Sequence, residues 1–159
     1  MIILGIDPGT ATTGFGAIKK KDENLLPIDF GVISTSPKDQ SAKRLQTLYQ
    51  ETIKLIKKFK PDFVVIEKLY FFKNLKTAFP VSEARGVILL AVCQQKIKII
   101  ELAPLEVKMG VCGYGRADKK QIQKMVKEIL ALKEIPKPDD ASDALAVAIC
   151  GALKNRCCG

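Results

Sequence analysis

MIILGIDPGTATTGFGAI, residues 1–18, opens with an apolar run that ends in a carboxylate, Asp7. The run is short, and a Pro-Gly pair and several threonines follow it, which is typical of a buried β-strand that leads into a turn. Residues 14–20 alternate enough to predict a second strand. Burying an unpaired carboxylate is costly or forces its protonation. We therefore expect a positive charge beside Asp7, either from the chain itself or from outside it.

Strand and helix patterns alternate along the rest of the chain. Further strands are predicted at 25–35, 62–67 and 97–102. Helices are predicted from Ser41 to 59, from about Thr77 to Gln95 with Pro80 in the first turn, in the first part of 104–118, over 119–132, and from near Asp139 to about Lys154. A three-strand antiparallel meander followed by alternating helices and strands indicates an α/β domain with a mixed sheet. We expect one domain over residues 1–156 and a short tail over 157–159.

The composition limits the chemistry that this chain can perform. Its 159 residues include 26 Lys and Arg against 17 Asp and Glu, which gives a net charge of +9. Such an excess favours polyanionic partners such as nucleic acid, although many basic proteins bind nothing acidic. The chain has no histidine, which excludes Ser-His-Asp and Cys-His catalysis and histidine-ligated metal sites. An enzyme with this sequence must use carboxylates, lysines and hydroxyls.

Sequence features also bear on the cellular compartment. The start of the chain lacks the basic segment and cleavage site of a secretory signal, and the longest apolar runs are far shorter than the roughly 20 residues that span a bilayer. Cys93, Cys112 and Cys150 lie in apolar sequence, which predicts buried free thiols in a reducing compartment. Cys157 and Cys158 have neither zinc-site spacing nor histidine partners, and we interpret them as part of a loose tail. We expect a cytoplasmic protein.

Four carboxylates stand inside apolar patterns. Asp7 ends the first strand, and Glu67 ends FVVIE in the same way. Asp140 and Asp143, at i and i+3 at the start of an apolar helix, project from one face of it. If the strands are neighbours and the helix packs across their ends, four carboxylates meet, and they cannot all stay ionised unaided. A hard divalent cation such as Mg2+ prefers oxygen ligands, and two ions about 4 Å apart suit phosphodiester hydrolysis.

Each acid also has an ordinary structural interpretation. Asp7 would form the turn before Pro-Gly, and Glu67 would pair with Lys68 or Lys73. An acid at Asp139 or at the position after it would cap the last helix or interact with its dipole. The combination of two strand-end acids with an acidic pair on an apolar helix is what favours a metal site.

Five stretches resemble, in the same order, the RuvC family of Holliday junction endonucleases. They are GIDPGTATTGFGAI (5–18), VVIEKLYFFKN (64–74), EARGVILLA (83–91), GYGRADKKQIQKMV (113–126) and DDASDALAVAI (139–149). The resemblance covers essentially the whole chain. It implies an RNase H-like fold with a five-stranded mixed sheet flanked by helices, and a homodimer that makes paired symmetric cuts in a four-way DNA junction in recombination and repair. It also implies cooperation with the RuvA–RuvB branch-migration complex.

The resemblance assigns catalysis and metal binding to the four acids, Asp7, Glu67, Asp140 and Asp143. It implies two Mg2+ ions in each active site, with Mn2+ as a substitute. In some relatives the position of Asp140 is histidine, which suits a metal ligand because either side chain can donate to a cation.

A second group of residues is expected to contact DNA. In the family, an aromatic residue three places after the strand glutamate, here Tyr70, lies on a loop that inserts among junction bases. Aromatic rings stack on bases while nearby lysines contact phosphates; the alternative is a hydrophobic loop tucked into the core. Lys108 and Lys119 match basic residues near the scissile phosphate, where a lysine offsets developing charge, and Lys120 is an alternative. The expected DNA contacts are Tyr70, Phe71, Lys73, Lys76, Lys108, Arg116, Lys119 and Lys120.

Three other functions are compatible with parts of the sequence. DPGTATT (7–13) also resembles a phosphate-binding loop of actin-like and sugar-kinase ATPases, but those proteins need two lobes and a second glycine-rich loop. A RuvC-like nuclease that processes ribosomal RNA precursors would share the strand-end acids. A non-catalytic junction-binding module would gain nothing from four acids in its groove.

Overall fold

The structure, a computed structural model, describes residues 1–9, 11–69 and 75–154, except for the side chains of 75–77. Its strands are β1 (Ile2–Asp7), β2 (Thr12–Lys21), β3 (Asn24–Ser34), β4 (Phe63–Glu67) and β5 (Lys98–Leu102). Its helices are α1 (Ser41–Phe59), α2 (Leu75–Gln94), α3 (Pro104–Cys112), α4 (Lys119–Ile129) and α5 (Asp139–Lys154). The strands form one sheet in the order β3-β2-β1-β4-β5; β1–β2 and β2–β3 are antiparallel, and β1–β4 and β4–β5 are parallel. The predicted mixed sheet with its N-terminal meander is confirmed.

Helices cover both faces of this sheet. On one face, α1 and α2 pack over a core that includes Leu4 of β1. On the other face, α5 contacts all five strands and packs on Ile3 and Val65. Helices α3 and α4 pack in turn against α5, so every residue from Ala141 to Ala152 except Asp143 is buried. α5 is therefore the central helix of the fold, held between the sheet and two outer helices.

Glycines in the strands let α5 approach the sheet closely. A Cβ atom on Gly5 would lie 2.2 Å from the main-chain oxygen of Ala144, and one on Gly14 would lie 1.9 Å from that of Asp140. Neither distance is sterically possible, so the main chain of α5 occupies the space that side chains would fill. This contact fixes the first turn of α5 over the end of β1 and the beginning of β2.

Two details differ from the sequence-based expectations. Helix α2 begins at Leu75, so Pro80 lies inside the helix rather than in its first turn, where its missing N–H leaves one carbonyl without its helical partner. Cys93 is exposed, because it lies on the outer face of α2 while its neighbours Ala91 and Val92 face the core. Cys150 is buried, as predicted, and Cys112 is partly buried.

Some expectations concern residues beyond the described ranges. The predicted tail, 157–159, lies outside them, so the division into a domain of residues 1–156 and a tail stays a prediction. Among the helices in the described part of the chain, none combines the length and apolar character needed to cross a membrane.

Candidate active site

Strand geometry places two of the four predicted acids side by side. β1 and β4 are adjacent and parallel, with Ile6 opposite Ile66, so Asp7 and Glu67 follow at the same edge of the sheet. Side chains alternate between the two faces of a strand. Because Val65 faces α5, Glu67 does too, and the same alternation turns Asp7 toward α5 after Gly5.

The first turn of α5 brings the other two acids to the same edge. One carboxylate oxygen each of Asp7, Asp140 and Asp143 lies within 4.8 Å of the others. Glu67 lines a cleft of about 220 Å³ together with Asp7 and Asp143. The structure thus brings together all four acids that the sequence singled out.

The carboxylates in this cleft are desolvated and repel one another. The pKa of Asp7 is raised from 3.8 to about 7, mainly by burial and to a smaller extent by the nearby charges of Glu67 and Asp143. Burial and then the charge of Asp143 raise the pKa of Glu67 from 4.5 to about 7. Burial also raises the pKa of Asp143, against the opposing effect of Lys119. The protein side chains therefore leave the negative charge of the site only partly compensated.

Lysines supply part of the positive charge that was expected beside Asp7. Lys119, the first residue of α4, places its Nζ atom 3.0 Å from Asp143 Oδ2 and 3.4 Å from Asp139 Oδ2. Its charge opposes the increase in the pKa of Asp7. Lys108 of α3 lines the same cleft.

The other predicted DNA contacts lie elsewhere or outside the described residues. Arg116 and Lys120 are exposed, and neither lines the acidic cleft. Tyr70, Phe71 and Lys73, and the side chain of Lys76, lie outside the described part of the chain.

Two further residues support the site, and neither was predicted from the sequence to do so. The Thr12 hydroxyl donates a hydrogen bond of 2.6 Å to Asp140 Oδ2. Arg85 donates from Nε to the main-chain oxygen of Glu67 at 3.3 Å and also pairs with the Glu101 carboxylate. Both residues belong to stretches that stand out in the sequence, the threonine run after Asp7 and EARG (83–86). Neither residue type by itself, however, indicates which group its side chain contacts.

The donor set fits a hard divalent cation. The acids present oxygen ligands, and burial raises the pKa values of Asp7, Glu67 and Asp143, so the protein desolvates these three carboxylates without fully neutralising them. Mg2+ and Mn2+ prefer such oxygen ligands. Among the described residues, Asp7, Asp140 and Asp143 are close enough to share such an ion, and Glu67 lines the same cleft as Asp7 and Asp143.

Comparison with known proteins gives a consistent result. Residues 3–151 match the family model described as crossover junction endodeoxyribonuclease RuvC. Proteins of that name from Halothermothrix orenii and Caldicellulosiruptor saccharolyticus are 51% and 53% identical to this chain, over 94% and 98% of its length and 91% and 94% of theirs. The structure of Thermus thermophilus RuvC in complex with a Holliday junction substrate is similar with a TM-score of 0.93 and 30% identity, covering 99% of this chain and 96% of that one.

Proposed function

The chain belongs to the RuvC family of crossover junction endodeoxyribonucleases, and on that premise we propose that it resolves four-way (Holliday) DNA junctions in recombination and repair. Its fold is RNase H-like, as the sequence resemblance implied. The observation that carries the proposal is the meeting of four carboxylates at one edge of the sheet, in a fold that matches a junction-bound RuvC over nearly its full length.

The four acids are proposed to hold two Mg2+ ions, for which Mn2+ can substitute. Divalent cations bound in such a site polarise the phosphate and lower the pKa of an attacking water. The strands fix Asp7 and Glu67, and the packing of α5 fixes Asp140 and Asp143, so the ligands are preorganised. The raised pKa values of Asp7 and Glu67 support this role, because desolvated carboxylates gain most from a cation.

The lysines are proposed to act on the DNA phosphate. Lys108 and Lys119 flank the acids in the cleft, where an ammonium group can offset charge that develops on the phosphate during hydrolysis. Arg116 and Lys120 are proposed to contact phosphates farther from the cut, and the aromatic ring of Tyr70 is proposed to stack on junction bases.

Paired symmetric cuts require two active sites, so we propose a homodimer. Phe79 and Leu90 of α2 support it, because these apolar side chains are 74% and 53% exposed and lie eleven residues apart, on one face of the helix. Cooperation with the RuvA–RuvB complex and a cytoplasmic location are also part of the proposal and rest on the family alone.

The test is to incubate the full-length protein with end-labelled four-way junction, linear duplex of the same arm sequence, and structured RNA, each with Mg2+ and with EDTA. We expect paired cuts that are confined to the junction and depend on Mg2+. Trimming of RNA would instead support the ribosomal-precursor nuclease. Junction binding without cuts in either condition would support the non-catalytic module and contradict the proposal.

A further inference from the structure

One hydrogen bond joins the beginning of β2 to the acidic cleft. Thr12 Oγ1 lies 2.6 Å from Asp140 Oδ2, although the two residues are 128 positions apart in the chain. That distance is typical of a hydroxyl that donates to an ionised carboxylate. The bond therefore ties a group of the proposed metal site directly to the sheet.

The sheet holds the Thr12 hydroxyl in place before any ligand binds. Thr12 is paired with Ser34 in the β2–β3 ladder, and its β-branched side chain has few accessible rotamers. Strand alternation puts it on the same face as Gly14, the residue over which the Asp140 main chain packs. Donor and acceptor are thus both fixed by elements of the fold.

Asp140 needs such a partner more than an ordinary surface acid does. One of its carboxylate oxygens lies within 4.8 Å of an oxygen of Asp7 and of Asp143, so the carboxylates would lower their repulsion if Asp140 turned away into solvent. Asp140 is only partly buried, which leaves room for that rotation. The hydrogen bond from Thr12 opposes it.

The chemistry of this partner differs from that of Lys119 beside Asp143. An ammonium group neutralises the carboxylate that it orients and competes with an incoming cation. A hydroxyl occupies one of about four lone-pair sites of the carboxylate and leaves the others, and the full negative charge, available to a metal.

We propose that Thr12 is a positioning residue, whose hydroxyl holds the Asp140 carboxylate in the orientation that binds a divalent cation beside Asp7 and Asp143. This inference rests on the proposed function of the acidic cleft. It extends that function to a neutral side chain from the loop-to-strand junction, which acts through Asp140 without contacting substrate.

The test is Mn2+ binding to the full-length protein without DNA, followed by the electron paramagnetic resonance signal of free Mn2+. Thr12→Val removes the hydroxyl and keeps the branched shape, Thr12→Ser keeps the hydroxyl, and Asp140→Asn marks the loss of a ligand. Thr47→Val is the matched control, because the Thr47 hydroxyl donates to a main-chain oxygen within α1, on the other face of the sheet. Thermal unfolding of each variant is measured in EDTA.

We expect Thr12→Val to bind Mn2+ about 10- to 100-fold more weakly than the wild type, which is the usual effect of losing a group that orients a metal ligand. Thr12→Ser and Thr47→Val should bind Mn2+ like the wild type. A Thr12→Val protein that unfolds at a lower temperature but binds Mn2+ like the wild type would overturn the inference and leave the metal site intact. Failure of Thr12→Ser to restore binding would also overturn it. Equal Mn2+ binding by the wild type and Asp140→Asn would contradict the metal site itself, and the inference with it.

Discussion

Replacing Asp7 with asparagine should stabilise the metal-free protein by a margin that grows with pH. Burial and the neighbouring carboxylates raise the pKa of Asp7 to about 7, against 3.8 for the group in water. Between these values the folded chain keeps a proton on Asp7 that the unfolded chain has lost, so the free energy of unfolding falls as the pH rises through this window. The amide of the asparagine variant cannot titrate, and the variant does not share that loss.

The size of the effect follows from the pKa difference. One extra proton in the folded state lowers the free energy of unfolding by about 1.4 kcal/mol for each pH unit. Between pH 5 and pH 8, with half-titration near pH 7, the stability advantage of Asp7→Asn should therefore grow by about 2.5 kcal/mol. The desolvation of the amide contributes equally at both pH values and cancels in this comparison.

Urea unfolding followed by circular dichroism, in EDTA at pH 5 and pH 8, measures this difference. Asp22→Asn is the control, because Asp22 is exposed in the β2–β3 turn, at the opposite end of β2 from the site, and its φ of 54° suits asparagine. Mg2+ should stabilise the wild type and not Asp7→Asn, because a bound cation requires the ionised acid. An advantage of Asp7→Asn that is equal at pH 5 and pH 8 would refute the reasoning.

Two further substitutions test the packing and the charges around the acids. Gly14→Ala should lower the free energy of unfolding by about 1–3 kcal/mol and abolish Mg2+-dependent junction cleavage, because the added methyl group would lie 1.9 Å from the main chain of α5. The control is Gly86→Ala, whose methyl group meets open space and should not destabilise the fold in the same urea titration. Lys119→Met should slow cleavage of bound junction about 100-fold or more in single-turnover kinetics. It should not weaken Mg2+ binding, because Lys119 competes with the cation for Asp143. An equally large effect of Lys120→Met on the cleavage rate would contradict this assignment.

The sequence predicts the acidic cleft well because its parts are encoded in local patterns. Asp7 and Glu67 each end a short apolar run, and a strand that ends in a carboxylate is visible without a structure. The spacing of Asp140 and Asp143 predicts a shared helix face. Whether β1 and β4 are neighbours, and whether α5 crosses their ends, stayed a condition of the prediction, since strand order is a property of tertiary packing.

Other features depend on contacts between distant residues and were not predictable. In the sequence, Gly14 is an ordinary small residue of a predicted strand. It matters because the main chain of α5 packs directly against it, which only the structure shows. Thr12 belongs to a run of threonines that suits a turn, so nothing local indicates its bond to Asp140. Cys93 was wrongly expected to be buried because a short apolar run on a helix includes residues of both faces.

The central claim is that acids from two strands and one helix form a single metal-dependent nuclease site, and Glu67→Gln tests it most directly. Glu67 lines the cleft from the end of β4. Glu51→Gln is the matched control, because Glu51 is a partly exposed residue of α1 that pairs with Lys54 and lies away from the cleft. The measurement is single-turnover cleavage of a fully bound four-way junction after addition of Mg2+, with the affinity determined in EDTA. We expect unchanged or tighter binding and cleavage at least about 1,000-fold slower, equivalent to the loss of roughly 4 kcal/mol of transition-state stabilisation. Cleavage by Glu67→Gln at the rate of Glu51→Gln, or loss of junction binding together with cleavage, would contradict the claim.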